Sequence, residues 1–388
     1  MILGFKTELK ISSLWQEIAL AKHAGVARHA WNWGLALTKN ILYHNQEHPE
    51  EKLKFPTAID LHKLLVAMVK PECPWYYEVS KCAPQYAIRH LSIAWKQAFK
   101  KVKKPPRFKK KGHADSFTLD GSITVDNRQI KVPRIGWLKT YECLPQGVKP
   151  KSVTISRTAD RWLISFAIET DVRQTTKSVD VVGVDLGINH MATLSTNEVF
   201  DSPKPYKKLE KKLARLQCLN RNKVRGSANF KKAQVKIARL HRRIANIRKD
   251  ALHKLTTYLA KNHGTVVIED LNVSGMMKNG RLAKAIADMG FYEFRRQLEY
   301  KCQLYGSELV VVDRWMPSSK TCSNCGTLKE SLSLSERVFK CNHCGFTCDR
   351  DLNASINLAK AVSSTVSACG LDSADTTRVK QEESVSNC

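Results

Sequence analysis

The sequence has no apolar run that approaches the ~18 residues a membrane-spanning helix needs. Its first residues, 1–7, lack the charged stretch followed by an apolar core that marks a secretory signal peptide. No internal repeat is visible either. We therefore expect neither a membrane partner nor a signal peptide.

A disulfide framework is also lacking. Of the 12 cysteines, eight are scattered along the chain without regular spacing, at positions 73, 82, 143, 218, 302, 348, 369 and 388. Scattered thiols of this kind are typical of proteins from a reducing compartment. The sequence therefore predicts a cytoplasmic protein.

Acidic residues are scarce relative to basic ones. The chain has 36 Asp and Glu against 64 Lys and Arg, which gives a formal net charge of +28. An excess of this size repels itself and suits a polyanionic partner. An anionic membrane is disfavoured because the chain has no long apolar segment, so nucleic acid is the expected partner.

The positive excess is concentrated between Lys204 and Lys254. Eighteen Lys and Arg residues occur in this stretch, and only Glu210 and Asp250 oppose them. A solvated helix face also carries charge, but such faces usually mix both signs. The bias therefore favours a large RNA or a heteroduplex lying against these helices.

A second basic segment covers residues 100–111 and contains Pro105, Pro106 and Phe108. It is too charged to be buried. Two interpretations remain open, a solvated linker and a track that lies along a phosphate backbone.

Four cysteines have a regular spacing. Cys322 and Cys325 form one Cys-x-x-Cys pair, Cys341 and Cys344 form another, and fifteen residues separate the two pairs. This is the spacing of a zinc ribbon. Four thiolates fill a tetrahedral Zn²⁺ site and leave no open position for water, so we expect the zinc to be structural and Cys348 to be a spare thiol.

The patterning of the chain predicts a multidomain α+β fold. Residues 1–10 read as a strand that joins the strands of 114–178 in a small antiparallel barrel, with a helical domain and basic linker at 11–113 inserted between them. From 179 the order is three strands, helix, strand, helix, strand and helix, the order of a ribonuclease-H-like fold. This domain covers 179–315 and 347–363, interrupted by the zinc ribbon at 316–346, and a disordered tail is expected at 364–388.

Three acidic residues occupy positions suited to metal-dependent hydrolysis of a phosphodiester. Asp185 and Glu269 each end an apolar strand, and Asp351 opens the last predicted helix. Two-metal hydrolysis needs carboxylates that clamp Mg²⁺ ions roughly 3.5–4 Å apart. Alternatives remain at two positions, because Asp185 also suits a turn and Asp351 also suits a helix N-cap, a role for which Asp349 competes.

Two neighbouring acids are weaker candidates. Asp270 follows Glu269 and should point to the opposite face, which suits a cap or turn residue. Asp313 also ends a strand-like run, and we expect it beside the site rather than on the metal. Glu269 lies 84 positions after Asp185, and Asp351 lies 82 positions after Glu269. Such separations have no local logic, so only the fold can bring these acids together.

Taken together, these motifs resemble the TnpB family of transposon-encoded, RNA-guided DNA endonucleases, which are relatives of the type V CRISPR effectors. The resemblance covers most of residues 1–360. It rests on five motifs, Gly183–Gly187, Val267–Leu271, Ser318–Gly326, Cys341–Gly345 and Asp349–Ala354.

The resemblance implies a role for each of these motifs. Asp185, Glu269 and Asp351 would be the RuvC-type catalytic triad that binds two Mg²⁺ ions. The four cysteines would be the ligands of Zn²⁺. The N-terminal half would be a wedge-like barrel with an inserted recognition domain. The partners would be a guide RNA transcribed from the transposon end and a double-stranded target DNA with a short flanking motif.

Other functions remain as alternatives. One is a guide-RNA-dependent DNA-binding repressor without cleavage, and another is a strand-transferring transposase or its accessory protein. A compact type V CRISPR effector would perform the same chemistry in a different genomic setting. The oligomeric state is open, with a monomer favoured.

Overall fold

The computed structural model describes residues 1–333 and 335–369, and the backbone alone for 363–369. Two compact units are present. Unit 1 comprises Met1–Thr170 with Asn220–Arg242, and unit 2 comprises Asp171–Leu219 with Arg243–Cys388. None of the helices in the described part of the chain combines the length and the apolar character that crossing a bilayer requires.

Unit 1 contains a group of helices near its N-terminus. The long first helix is capped by Ser13, whose side chain accepts a hydrogen bond from the backbone N–H of Gln16. A capping box between Thr57 and Asp60 opens the second helix. The helices are α1 (Leu14–Glu47), α2 (Ala58–Leu64), α3 (Lys70–Glu72) and α4 (Cys82–Phe99), with a π-helical turn at Leu65–Val69 and a 3₁₀ turn at Pro74–Glu78.

The strands of unit 1 form one seven-stranded antiparallel sheet. They are β1 (Ile2–Lys10), β2 (Ser116–Asp120), β3 (Thr124–Asp126), β4 (Gln129–Val132), β5 (Gly136–Thr140), β6 (Ser152–Thr158) and β7 (Arg161–Glu169). Their order is β2-β6-β7-β1-β5-β4-β3, and Phe5 of β1 pairs with Phe166 of β7. The first strand therefore lies between strands that follow the helices in sequence. Because β2 and β3 are the two ends of this order, a wedge-like barrel stays a prediction.

Helices and sheet share one hydrophobic core in unit 1. Leu20 and Leu35 of α1 are fully buried in the same cluster as Ile155 and Ile164 of the sheet. The packing of α1 on α4 is close, because a Cβ at Gly34 would lie 2.9 Å from a methyl group of Leu91. The predicted helical and β regions thus form a single packed body.

Unit 2 is built on a mixed five-stranded sheet. Its strands are β8 (Val179–Asp185), β9 (His190–Leu194), β10 (Val199–Asp201), β11 (His263–Glu269) and β12 (Glu308–Val312). The order is β10-β9-β8-β11-β12. Strands β8 to β10 run antiparallel as a meander, whereas β8, β11 and β12 run parallel. Parallel neighbours end at the same edge of a sheet, so the residues at the carboxyl ends of β8, β11 and β12 lie along one edge.

Helices connect these strands and follow the ribbon. They are α5 (Pro205–Arg221), α6 (Ala228–Asn262, whose first half belongs to unit 1), α7 (Val273–Met276), α8 (Ala283–Met289), α9 (Phe291–Tyr305) and α10 (Arg350–Cys369). Leu255 and Leu259 of α6 and Leu298 of α9 pack on buried residues of the sheet. The order of strands and helices after residue 179 agrees with the sequence-based expectation.

The ribbon contains two short strands, β13 (Val338–Lys340) and β14 (Thr347–Asp349), which pair antiparallel and lead into α10. The backbone of α10 runs to Cys369, past residue 364 where the tail was expected to begin. No Gly or Pro interrupts the sequence before Gly370, so the helix has no local reason to stop earlier. The rest of the expected tail, 370–388, lies outside the described residues.

Candidate functional site

Asp185 and Glu269 lie at the carboxyl ends of adjacent parallel strands. Val184 of β8 pairs with Ile268 of β11, so the residues that follow them, Asp185 and Glu269, come next to each other at one edge of the sheet. Both side chains are half-buried. The apolar runs that precede them form the buried strands, and this burial fixes the two carboxylates on rigid backbone.

Asp351 lies in the first turn of α10. The Asp349 carboxylate caps this helix, because it accepts hydrogen bonds from the backbone N–H of Asp351 at 2.8 Å and of Leu352 at 3.1 Å. Of the two roles considered for Asp351, the capping role belongs to Asp349. The side chain of Asp351 is therefore not needed to cap the helix.

Helix α10 crosses directly over β8. A Cβ at Gly183 would lie 1.9 Å from the carbonyl oxygen of Ser355, so only glycine permits this approach. A Cβ at Gly187 would lie 3.9 Å from Oδ2 of Asp351. The structure thus brings Asp351 to the turn that follows Asp185. Gly183 therefore admits the backbone of α10.

Asp351 and Glu269 are close enough to Asp185 to affect its ionisation. The pKa of Asp185 is raised to about 7, first by burial and then by the negative charges of Asp351 and Glu269. The pKa of Glu269 is also raised, first by burial and then by the charge of Asp270. Both effects disfavour the ionised form, and a bound divalent cation would reverse them.

The donor set fits magnesium in its chemistry, because Mg²⁺ prefers hard carboxylate oxygens and retains several waters. Asp185, Glu269 and Asp351 would hold it. Among the described residues, only a cysteine cluster brings three or more His, Cys, Asp or Glu ligand atoms within 4.8 Å of one another. The three carboxylates do not meet this criterion, because their oxygens do not all lie within 4.8 Å of one another.

Asp270 has a different environment from Glu269. It forms ion pairs with Arg295 of α9, at 2.6 Å between Nη1 and Oδ1, and with Arg314. These two arginines lower the pKa of Asp270, with Arg314 making the larger contribution. Both also line a cavity of about 450 Å³ that Glu269 borders. Asp270 therefore anchors the arginines.

Asp313 forms a local contact. Its Oδ1 accepts a hydrogen bond from the backbone N–H of Trp315 at 2.8 Å, which closes the turn after β12. The neighbouring Trp315 side chain is 84% exposed.

The four predicted zinc ligands form one cluster, whereas Cys348 lies on β14 outside it. The sulfurs of Cys322 and Cys344 are 3.7 Å apart, and those of Cys325 and Cys341 are 3.6 Å apart. A zinc ion with four sulfurs at about 2.3 Å in a tetrahedron requires sulfur separations of about 3.8 Å. The thiols are therefore spaced as Zn²⁺ requires.

Each Cys-x-x-Cys pair lies in a tight turn that ends at a glycine. The N–H of Gly326 donates to the carbonyl of Cys322 at 2.9 Å, and the N–H of Gly345 donates to that of Cys341 at 3.2 Å. Both glycines have positive φ, +76° and +71°, which a residue with a Cβ adopts only with strain. Hydrogen bonding to the side chain and backbone of Thr327 lowers the pKa of Cys325 to about 5, toward the thiolate that zinc binds.

The ribbon is hydrogen-bonded to α10. Side-chain amides of Asn353 and Asn357 bond to backbone groups of the ribbon between Ser318 and Ser323. This role of the two asparagines was not predicted from the sequence. A signal was available in their four-residue spacing, which places both on one face of a helix.

The basic segment 100–111 is attached to α1. The indole N–H of Trp31 donates to the carbonyl of Arg107 at 3.0 Å. The Asn32 amide exchanges two hydrogen bonds with the backbone of Lys109, at 2.8 and 2.9 Å. The other basic side chains of segment 100–111 are mostly exposed. The segment therefore presents positive charge from a fixed backbone, which a free linker does not.

Helices α5 and α6 carry exposed cations, as the composition of residues 204–254 implied. On α5 the exposed residues include Lys207, Lys208, Lys211, Lys212 and Arg215, and on α6 they include Lys231, Lys232, Lys236, Arg243 and Lys249. Few carboxylates oppose them, such as Glu210, which pairs with Lys284, and Asp250, which pairs with Lys254. Each helix thus presents a surface suited to a polyanion.

Comparison with known proteins supplies families for three regions. Residues 164–280 match a family described as "Probable transposase", residues 291–358 match the "Cas12f1-like, TNB domain", and residues 1–47 match a "Helix-turn-helix domain". In the structure, residues 1–47 contain a strand and one long helix.

Two relatives are similar over most of their length. A protein of Streptomyces pristinaespiralis named "Putative RNA-guided DNA endonuclease" is 42% identical, over 77% of this chain and 75% of the relative. "Putative RNA-guided DNA endonuclease InsQ" of Escherichia coli (strain K12) is 34% identical, over 95% of this chain and 94% of the relative. A solved structure described as the "mini-RNA-guided endonuclease CRISPR-Cas_phi3" aligns with a TM-score of 0.50 at 10% identity, over 93% of this chain and 92% of that one, which shows a shared mixed α/β fold.

Proposed function

The chain belongs to the TnpB family, and on that premise we propose that it is an RNA-guided, Mg²⁺-dependent DNA endonuclease. It would use a guide RNA from the transposon end and cut double-stranded target DNA beside a short flanking motif. The observation that carries this proposal is the approach of Asp185, Glu269 and Asp351, which are far apart in sequence, to one edge of the sheet in unit 2.

The proposed roles of the three acids follow from their positions. The reaction is hydrolysis: water attacks the phosphorus, the bond to one sugar oxygen breaks, and that oxygen leaves with a proton. Bound Mg²⁺ would activate the water and stabilise the leaving oxygen. Asp185 and Glu269 hold their carboxylates on strand ends, and Asp351 holds a third on the first turn of α10. These fixed positions would orient the phosphate for attack.

The proposed partners are a guide RNA and a double-stranded DNA. Relatives named as RNA-guided DNA endonucleases support this choice, as do the exposed cations of α5 and α6. Base pairing with the guide would read the sequence, while the protein would hold the duplex by its backbone and shape. The fixed basic segment on α1 would bind phosphates in the same way.

We also propose assignments for the parts of the fold. Residues 179–315 and 347–363 would be the RuvC-like, ribonuclease-H-like nuclease domain, supported by the order of its sheet. Residues 316–346 would be a structural zinc ribbon, supported by the spacing of its thiols. Residues 1–10 with 114–178 would be the wedge, and 11–113 the recognition domain.

The experiment begins with purification of the full chain from cells that also transcribe the transposon end. Copurifying RNA is sequenced, and the complex is then tested with Mg²⁺ on a DNA whose sequence matches the guide. We expect one discrete RNA species and cleavage of the matched DNA alone. In the Asp185→Ala variant, cleavage should fall by about 10³-fold or more, while RNA and target binding stay nearly unchanged.

Each alternative has its own result in this experiment. Guided binding without cleavage by the wild type would identify a repressor. Joined DNA ends would identify a strand-transferring transposase. Cleavage that survives in Asp185→Ala, Glu269→Ala and Asp351→Ala alike would overturn the assignment of the three acids.

A further inference from the structure

Helix α10 has one polar face that is directed at the ribbon. Asn353, Asn357 and Lys360 are spaced by four and three residues, which places them on the same side of the helix. All three side chains donate hydrogen bonds to backbone carbonyls of the ribbon, within residues 318–323. Asn353 is fully buried and Asn357 is 5% exposed. Buried amides at an interface are costly unless they are paired, and these are paired.

Asn353 forms hydrogen bonds to the backbone on both sides of a predicted zinc ligand. Its Nδ2 donates to the carbonyl of Thr321 at 2.7 Å, and its Oδ1 accepts from the N–H of Ser323 at 2.9 Å. These two residues flank Cys322. Asn357 adds two hydrogen bonds from its Nδ2, to the carbonyls of Ser318 at 2.8 Å and Thr321 at 2.6 Å. The first cysteine turn is therefore fixed to α10 by side-chain amides.

The opposite side of α10 packs on the strand that carries Asp185. The backbone of α10 at Ser355 and Ala359 passes Gly183 so closely that a Cβ there would lie 1.9 Å from the Ser355 carbonyl oxygen and 2.6 Å from the Ala359 nitrogen. Asp351 precedes Asn353 by two residues, and Asp185 follows Gly183 by two. The same two turns of helix thus contact the ribbon on one side and β8 on the other.

We propose that Asn353 and Asn357 are positioning residues for the nuclease site, through which the ribbon sets the place of Asp351 relative to Asp185. The inference rests on the proposed function. In this arrangement the zinc ribbon supports the metal-binding carboxylates as well as its own fold. The first turn of a helix frays easily, and here the Asp349 cap, the hydrogen bonds of Arg350 to the ribbon and the amide contacts restrain it.

The test is a titration of the purified protein with its bound RNA. Cleavage of matched DNA is measured against Mg²⁺ concentration for wild type, Asn353→Ala and Asn357→Ala. Mn²⁺ binding to the same complexes, without DNA, is measured by calorimetry. We expect both variants to need about 10- to 100-fold more Mg²⁺ for half-maximal cleavage, and to bind Mn²⁺ more weakly by a similar factor. Zinc content and target binding should match wild type.

Two further variants separate positioning from a general loss of structure. Asn342→Ala removes an exposed asparagine on the ribbon and should leave the Mg²⁺ dependence unchanged. Lys360→Ala removes a hydrogen bond to the carbonyl of Ser323 from the exposed rim of the same face, so it should fold and shift the Mg²⁺ dependence in the same direction by a smaller factor. It keeps the test informative if Asn353→Ala does not fold.

The outcomes distinguish this inference from the proposed function. A wild-type complex that cuts, beside Asn353→Ala, Asn357→Ala and Lys360→Ala complexes with normal Mg²⁺ and Mn²⁺ dependence, would overturn the positioning role alone. The positioning role would also be overturned if a lowered melting temperature were the only change in these variants. A wild-type complex that never cuts overturns the proposed function instead.

Discussion

The cysteine cluster and the carboxylate site both depend on the region around α10, yet they are encoded differently. The four cysteines fall within residues 322–344, and local turns bring their sulfurs within 4.8 Å of one another. The three carboxylates span residues 185–351 and come from two strands and a helix. A site made by local turns can be read from spacing alone. A site made by strand pairing and helix packing exists only in the folded unit.

The two sites also differ in electrostatics before any metal binds. In the ribbon, hydrogen bonding to Thr327 favours the thiolate of Cys325, whereas burial raises the pKa of Cys322 to about 11 and favours its thiol. In the carboxylate site, burial and like charges oppose ionisation of Asp185. The carboxylate site therefore adds repulsion between like charges, which a bound divalent cation would relieve.

The sharpest test of the carboxylate site compares two acidic residues at the start of α10. Asp351→Ala should lower guided cleavage by about 10³-fold or more, because it removes a proposed metal ligand. Asp349→Ala removes the N-cap and should cost about 1 kcal/mol of stability, with a much smaller loss of cleavage. The cleavage rates of the two variant complexes at saturating Mg²⁺ show whether Asp351 binds metal or only shapes the helix. Equal losses would mean that Asp351 acts only by shaping the helix.

The cysteine cluster can be tested with a matched pair of variants. Cys344→Ser removes a predicted ligand and should release zinc to a mild chelator, because thiolate ligands give a ribbon most of its affinity. Cys348→Ser changes a nearby thiol outside the cluster and should retain one zinc per chain. Elemental analysis of both proteins measures this directly. Zinc loss from both variants would break the assignment of four ligands.

Gly183 tests whether packing of α10 sets the carboxylate geometry. Gly183→Ala places a methyl group against the carbonyl of Ser355, so α10 must move away from β8 and carry Asp351 with it. A displacement of about 1 Å can cost about 10²-fold in rate. Gly4→Ala is the control, since a Cβ there meets nothing within 4 Å. Comparable cleavage by wild type and a folded Gly183→Ala complex would contradict the account.

Acidification should weaken metal binding at the carboxylate site. Because the pKa of Asp185 is raised to about 7, a proton competes with the cation below that pH. The Mg²⁺ concentration for half-maximal cleavage should rise by up to about tenfold per pH unit below 7 and level off above it. Titrations between pH 6 and 8.5 measure the effect. A flat dependence would show that Asp185 is already ionised across this range.

The smallest expected effect concerns stability without metal. An acid with a raised folded-state pKa destabilises the fold once pH exceeds its unfolded value, and the penalty is complete above about pH 7. Asp185→Asn removes that charge, so at pH 8 with chelator its melting temperature should exceed that of wild type by about 2–4 °C. Added Mg²⁺ should erase the difference. A lower melting temperature for Asp185→Asn would contradict this reading of the repulsion.

Much of the molecule could be predicted from the sequence because its signals are local. The ribbon follows from cysteine spacing, and the strands ending in Asp185 and Glu269 follow from apolar runs. The separate roles of Asp349 and Asp351 could not be assigned, since both residues suit a cap and only the helix start decides between them. The close packing of α10 on Gly183 could not be predicted, because the approach of this helix to β8 is not visible in the sequence.

The same limit applies to partners that lie far apart along the chain. Asp270 was expected to be a cap or turn residue, yet it anchors Arg295 and Arg314. The hydrogen bonds between Asn353 and the backbone on either side of Cys322 join residues that are 30 and 32 positions apart. Such contacts depend on how strands and helices pack, and hydrophobic periodicity constrains them only weakly.

The central claim is that Asp185, Glu269 and Asp351 form one divalent-cation site. The most direct measurement is the anomalous scattering of Mn²⁺ in crystals of the RNA-bound protein grown with that ion. We predict two manganese positions roughly 3.5–4 Å apart, both within coordination distance of these carboxylates. Manganese bound elsewhere, with no density beside these three residues, would contradict the account.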